Sequence, residues 1–390
     1  MNKFRVGIIG VGNMGSQHLK RFINGKVQNA RISALCDINQ ENLYRFREQL
    51  SEDVKYFENA DALIQSGLVD GVIIATPHYD HPIISIKAFE AGLHVFCEKP
   101  AGVYTKNVRK MNEAAARSGK TFQVNFVLRT NNAYKKIKEI MDNGELGKMK
   151  RITWIITNWY RTQAYFNSGG WRATWAGEGG GTLLNQNPHT LDLFQWFGGM
   201  PKRVRASCYF GKNRYIEVED EATAYFEYEN GAVGLYMTSV SEFPGTNRLE
   251  IAGDRGKLVY EDGKITLYKT EVSEEEFNRE TTTVSGPIPM QKYDVEIEEG
   301  NQQDGLTQMI NNWVDVSLFG GTLIAPGEEG IQSLTLSNGI YLSEWEDSWV
   351  EFPINEDQFY DKLQERIQTS TFVKSDVKDQ VMDISNTFHK

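Results

Sequence analysis

The stretch "FRVGIIGVGNMG", Phe4 to Gly15, decides the fold. It opens with branched aliphatic residues, as a strand buried on both faces requires. Gly10, Gly12 and Gly15 then fall in G-x-G-x-x-G spacing, carrying Asn13 and Met14 between them, and lead into the helical pattern "GSQHLKRFIN". Gly10 permits a tight turn, Gly12 leaves backbone N–H groups open to a pyrophosphate, and Gly15 lets the helix pack closely on the strand. At the spacing of roughly 20 residues that such folds use, Asp37 ends the next strand-like run, "ARISALCD". A carboxylate there accepts hydrogen bonds from an adenosine ribose and repels a 2′-phosphate. Ile38 and Asn39 follow, with no Arg or Lys to clamp that phosphate. The expected cofactor is NAD, ahead of NADP. Asp37 also stands where it would cap a helix starting at Gln40.

Outward from that unit, "VDGVIIATP", "LHVFCEKP" and "KTFQVNFVLR" read as strands, alternating with helical "NQENLYRFREQL" and "HPIISIKAFEAG". Residues 1–128 are therefore expected to form a doubly wound parallel sheet of the Rossmann type. After Arg129 the pattern changes. "MKRITWIITNWYR", "RVRASCYFG", "DEATAYFEYENGAVGLYMTSV" and "NRLEIAGDRGKLVYEDGKITLYK" are strand runs with "ENG" and "EDG" hairpin turns. Residues 129–349 are expected to be an α+β domain on a large, mostly antiparallel open sheet, its face covered by helices such as Gly305–Phe319. Residues 350–390 add an amphipathic helix, "EDQFYDKLQERIQ", and a polar tail that wraps a neighbour or frays.

With 390 residues the chain is long enough for two domains. A net charge of −10 leaves no basic stripe to displace counterions, so nucleic acid is excluded as a partner. Cys36, Cys97 and Cys208 are scattered, which suits a reducing compartment and gives neither a disulfide framework nor a thiolate zinc site. The apolar run near the start is short and glycine-interrupted, so it reads as a strand rather than a leader. No run approaches the roughly 20 residues of a membrane span. The expected setting is cytoplasmic.

Two loops at strand ends carry chemistry. "ATPHYDH" places Thr76, Pro77, His78 and His81 at the carboxyl edge of the sheet, where such folds bind ligands. His78, Asp80 and His81 lack a fourth ligand, so no metal is expected. "LHVFCEKP" ends an apolar strand in Glu98 and Lys99. A lysine beside a nicotinamide cation has its pKa lowered and can hydrogen-bond a substrate hydroxyl; a surface lysine paired with Glu98 is the plainer alternative. A third stretch, "GGGTLLNQNPHTLDLFQWFGG" (Gly179 to Gly199), sets Asn185, Asn187, His189 and Asp192 inside an apolar run. Burying such groups without partners costs roughly 2–7 kcal/mol for a neutral one. They hold one another, or something enters to meet them.

Taken in this order from about Phe4 to Trp345, these motifs resemble the glucose–fructose oxidoreductase / inositol dehydrogenase / rhizopine-catabolism family of NAD(P)-dependent oxidoreductases. The resemblance implies a Rossmann domain followed by a domain with a large open sheet that mediates homodimers, tetramers or larger assemblies. It implies oxidation or reduction of a secondary alcohol on a sugar, glycoside or cyclitol, so a small carbohydrate is the expected partner. It also implies that the helix beginning near Pro188 faces the nicotinamide and that His189 is the general acid/base. Pro188 suits the first helical turn with Asn187 as cap, and Asp192, three residues on, is placed to orient the imidazole. Many members carry Asp where this chain has Asn185; an amide positions a hydroxyl but takes no proton. Proton transfer then rests on His189 and Lys99.

Further substrate-side candidates are Tyr160 and Arg161 in "NWYR" and Trp171 and Arg172 in "GGWR", with Asn185 and Asp192. Asn125, where the domains join, is assigned to the cofactor side. Tyr134 and Lys138 match Y-x-x-x-K by chance, because the glycine fingerprint has the wrong form for short-chain dehydrogenases. The expected activity is NAD-dependent oxidation of a ring hydroxyl, for instance C3 of a hexoside. The alternatives are a redox-neutral hydrolase or lyase with tightly held NAD, and a non-catalytic dinucleotide-binding protein.

Overall fold

Residues 3–298 and 303–374 are described in the computed structural model; the end of the polar tail, from 375, lies outside them. Six strands form the first sheet: β1 (Phe4–Ile9), β2 (Ala30–Cys36), β3 (Lys55–Phe57), β4 (Gly71–Ile74), β5 (His94–Cys97) and β6 (Phe122–Val124). All pairs are parallel, in the order β3-β2-β1-β4-β5-β6. Every residue of β4 is buried, as expected of a strand with helices over both faces. The order reverses between β1 and β4, and the first glycine turn and the Thr76–His81 loop open at that crevice.

The second sheet has nine strands: β7 (Met149–Ile156), β8 (Arg203–Phe210), β9 (Glu219–Glu227), β10 (Val233–Ser239), β11 (Asn247–Gly253), β12 (Gly256–Glu261), β13 (Lys264–Thr270), β14 (Met290–Val295) and β15 (Val350–Glu351). Their order is β14-β13-β12-β11-β7-β10-β9-β8-β15, and only β7–β10 is parallel. In β7 alternate residues Ile152, Trp154 and Ile156 are buried, so one face is core. The helix Pro188–Gly198 covers that face, with Phe194 edge-on to Tyr236 at 5.6 Å and tilted against Phe226 at 5.4 Å. Asp262 and Gly263, both at positive φ, make the "EDG" hairpin.

One expectation is corrected. The helix Gly305–Phe319 covers the parallel sheet, not the antiparallel one: Trp313 is edge-on to Phe4 at 5.4 Å and to Phe96 at 5.8 Å, and Gln123 donates to the Met309 carbonyl at 2.8 Å. Its cap, Asp304, is drawn there by Arg21 at 2.8 Å. The amphipathic segment near the end forms the helix Glu356–Thr369 and packs on its own chain, with Phe359 stacked on Trp345 at 5.3 Å and Tyr360 against Tyr104. Among the described residues no helix is long and apolar enough to cross a membrane.

Candidate active site

A cleft of about 1260 Å³ opens where the parallel sheet changes direction; its lining includes Gly12, Asp37, Thr76, His78, Lys99 and Asn185. Gly10 sits at φ +88°, where a side chain is strained, and a Cβ there would stand 2.6 Å from the Ala75 carbonyl. A Cβ on Gly15 would fall 1.8 Å from the Gly10 carbonyl, whereas nothing lies within 4 Å of one on Gly12. Gly15 therefore serves packing and Gly12 keeps space for a ligand. Gly12→Ala is expected to weaken NAD binding roughly tenfold or more with an unchanged melting temperature. Gly15→Ala should cost about 3 kcal/mol or more in urea unfolding, because backbone must move.

Asp37 accepts from the N–H of Val11 at 2.7 Å and of Asn39 at 2.8 Å, pinning the glycine turn to the end of β2. It does not cap the following helix; Asn39 does, accepting from Glu41 N at 2.8 Å. Ile38, unassigned from the sequence, is 91% exposed and lends the cleft an apolar surface beside Asp37. Lys20 and Arg45 also line it, beyond the residues directly following Asp37. His81 is fixed between the carbonyls of Pro100 (Nδ1, 2.7 Å) and Thr76 (Nε2, 2.8 Å), and His78 Nδ1 meets the Glu178 carbonyl at 3.0 Å. Both histidines are thus held by backbone. Thr76 Oγ1 and Asn125 Oδ1 are buried without partners among the described residues. With an open Gly12, a strand-end carboxylate and the unmet Thr76 hydroxyl in its lining, this crevice fits a dinucleotide.

Glu98 is the anchor beneath Lys99. His18 Nε2 and Asn125 Nδ2 lie 2.7 and 2.8 Å from its Oε1. Burial opposes its charge, but His18, Lys99 and Asn125 outweigh that and pull its pKa to about 2. Asn125 is therefore behind the cleft rather than in its lining. Lys99 turns from Glu98 into the cleft, where Nζ donates to the Asn185 carbonyl at 2.7 Å and approaches Oδ1 at 3.5 Å. Burial lowers its pKa to about 8; Glu98 resists and Arg172 and Arg161 reinforce the drop.

Most polar groups of the Gly179–Gly199 stretch find partners; among the described residues Thr182 Oγ1, Gln186 Oε1 and His189 Nδ1 do not. Asn185 donates to Glu178, a buried carboxylate the sequence reading did not single out. Asn187 occupies the cap position, yet its side chain does not cap; it donates to Thr238 of β10 and ties the helix start to the second sheet. Asp192 does not orient His189. It accepts from Arg129 Nε at 2.7 Å and Nη2 at 2.6 Å and from Gln195 at 3.1 Å, fully buried under the site. Nor is it exposed to substrate. Within the helix Pro188–Gly198 it is His189 whose Nδ1 is buried without a partner among the described residues. Its ring is held by packing, edge-on to Phe126 and Trp159 at 6.3 Å each. Burial and then Lys99 lower its pKa to about 3. The turn before this helix is held by Glu219, missed in the sequence, which accepts from Gly181 N at 2.9 Å and Leu183 N at 2.7 Å.

Of the weaker candidates, Trp171 and Arg172 line the cleft, and Trp171 is edge-on to His78 at 5.2 Å. Arg161 and Tyr160 are not in that lining. Tyr160 is 43% exposed, beside Phe243 and the Arg214 guanidinium, so its neighbour Trp159 supplies the aromatic face at His189. Lys374 reaches back to the carbonyls of Gly169 and Arg172, so the described end of the chain holds the Trp171 loop.

Comparison with known proteins follows this geometry. Residues 4–126 match a family model described as "Oxidoreductase family, NAD-binding Rossmann fold", and residues 134–259 match "GFO/IDH/MocA C-terminal domain". Inositol 2-dehydrogenase of Serratia proteamaculans is 31% identical over 37% of this chain and 42% of its own length. Myo-inositol 2-dehydrogenase of Thermotoga maritima is 26% identical over 65% of this chain and 74% of its own. The first curated relatives are thus matched over less than half their length. The WlbA dehydrogenase of Bordetella pertussis, solved with NADH and UDP-GlcNAcA, shares the fold at a TM-score of 0.74 and 23% identity, covering 90% of this chain and 100% of that one. With both family models matched in order and together spanning more than half its length, the chain belongs to the Gfo/Idh/MocA family of oxidoreductases and carries that family's NAD-binding Rossmann fold.

Proposed function

We propose that this chain oxidises a secondary ring hydroxyl of a sugar, glycoside or cyclitol, possible sites including C3 of a hexoside, with His189 as general acid/base and Lys99 assisting. The observation that carries the reading is the buried, unmet Nδ1 of His189, which feels the charge of Lys99 in a helix where Thr190 and Asp192 are satisfied. NAD, held by the glycine turn and Asp37, supplies the hydride acceptor. His189 is kept neutral by burial and by Lys99, so it is free to take the hydroxyl proton. No carboxylate steadies the resulting imidazolium, and the proton passes to Lys99, whose pKa near 8 lies closer to working pH. Asn185 positions the hydroxyl, and Trp159 and Trp171 offer faces to the ring's C–H groups.

Lys99 must lose its own proton before it can receive one. Oxidation is therefore expected to speed up as pH rises through about 8 and to lose that limb in Lys99→Met; a limb that persists in the variant sinks Lys99 as its source. Function itself is tested by following reduced nicotinamide with NAD and, separately, NADP over inositols, free sugars and glycosides, beside His189→Ala. NAD reduction on one substrate class, lost in the variant, is the expected result. Silence with NAD retained points instead to the redox-neutral hydrolase or lyase, and silence without nucleotide binding overturns both. Self-association belongs to the same proposal: Tyr209 and Tyr225 are exposed on the uncovered face of the nine-stranded sheet, and light scattering should find a dimer or larger.

A further inference from the structure

Arg129 shows how this chain neutralises a guanidinium that it buries: carboxylates of Asp192 and Glu329 both lie 2.6 Å away. The arginines around Tyr165 are left otherwise. The guanidinium carbons of Arg161 and Arg172 lie 5.1 and 4.8 Å from the Tyr165 ring centre. Arg161 donates to the Tyr160 carbonyl at 3.0 Å, and its Nε is buried with no partner among the described residues. Arg172 Nε is equally unmet; Glu178, 3.8 Å away, is already engaged by Asn185 and by Ala173 N at 2.6 Å. Arg214 donates to the Arg161 carbonyl at 2.8 Å and keeps a buried, unmet Nη2. With Lys99 these make four cations, Lys374 adding a fifth at the Arg172 carbonyl, in a chain of net charge −10, and among the described residues no carboxylate pairs with Lys99, Arg161 or Arg214.

The four are not equivalent. Arg172 lines the crevice with the glycine turn, within the field of a dinucleotide's diphosphate, whereas Arg161 does not line it. Beside Arg161, Tyr165 OH receives hydrogen bonds from Arg172 (3.0 Å) and Gln186 (2.8 Å), which leaves its own proton to donate, and Gln186 Oε1 is buried and unmet. A planar guanidinium with a free Nε–H matches an oxyanion, while an amide oxygen and a phenol match sugar hydroxyls. Resting on the reading of a sugar site adjoining this crevice on the side of Arg161 and Tyr165, we infer that the sugar carries an oxyanion, a carboxylate or a phosphate, and that Arg161 holds it.

The test titrates full-length protein saturated with NADH against glucose, glucuronate and glucose 6-phosphate and their galacto epimers. Quenching of tryptophan fluorescence reports binding, since Trp171 lines the cleft and Trp159 lies against His189. One acidic member should bind roughly 30-fold tighter than its neutral counterpart, and the gap should narrow in high salt. In Arg161→Gln the acid-to-neutral ratio should fall about tenfold or more. Tighter binding by the uronate or by the phosphate identifies the oxyanion. A neutral sugar that binds as tightly as both its acidic counterparts overturns the inference, as does absence of binding by all six. NAD reduction, measured in parallel, separates the two claims. Acid preference without reduction of NAD keeps the inference and sinks the dehydrogenase; turnover of neutral sugars without acid preference does the reverse.

Discussion

Lys99→Met is expected to lower kcat by about a thousandfold or more while the protein stays folded and still binds NAD. The argument starts from the covalent neighbourhood. Glu98, held by His18 and Asn125, fixes the backbone at the end of β5 independently of the Lys99 side chain. The amine reaches forward to the Asn185 carbonyl and bonds no carboxylate among the described residues. Removing it takes one favourable charge from buried Glu98, but His18 and Asn125 still hold that carboxylate, and methionine refills most of the stem's volume. Loss of rate then reflects lost chemistry rather than lost structure. Steady-state kinetics, NAD titration and a urea curve on one preparation check all three parts. A kcat within about fivefold of the parent would remove Lys99 from the proton path. His189→Ala should fall about 10²–10³-fold, less than Lys99→Met, because an amine of pKa near 8 can still take the proton through water.

What the sequence made legible was local. The glycine spacing, Asp37 at the end of β2 and Lys99 at the end of β5 are each read within one strand and its turn, and they lie together in the cleft. What it hid depended on partners far along the chain. Asp192 seemed free to orient His189 because helical spacing puts the two near each other, but a bidentate arginine from 63 residues upstream claims its carboxylate. The helix Gly305–Phe319 shows an apolar stripe without saying which sheet it covers, and the deciding bond, Gln123 to Met309, spans 186 residues. In "NWYR" the substrate-side candidates are Tyr160 and Arg161, yet it is Trp159 that meets His189. Regular alternation stops at Ile156, after which Thr157 is fully buried and Arg161 N bonds the Val240 carbonyl, so side-chain direction no longer follows the strand's parity. Glu178 and Glu219 carried no signal, since a carboxylate in a sequence looks solvated until the fold closes over it.

The Arg129–Asp192 pair is expected to matter for stability and little for chemistry. Both side chains are buried, the bonds are bidentate, and the guanidinium lies over the rings of Trp196 at 5.1 Å and Phe126 at 5.7 Å. Burial alone would disfavour the Arg129 charge; Asp192 and Glu329 outweigh it and hold the pKa above the usual arginine value. Asp192→Ala strands that charge with only the partly exposed Glu329, and breaking such a pair costs about 3–5 kcal/mol. Arg129→Met with Asp192→Leu removes both charges and should regain most of that loss, because well-packed apolar replacements are often neutral or better. Urea unfolding of the three proteins gives the comparison. In Asp192→Ala, kept folded by cold and saturating NAD, kcat should stay within about fivefold of the parent, since His189 is positioned by Phe126 and Trp159 instead. The opposite pattern, stability kept and kcat lost a hundredfold or more, would return Asp192 to the catalytic histidine and make its hold on Arg129 incidental.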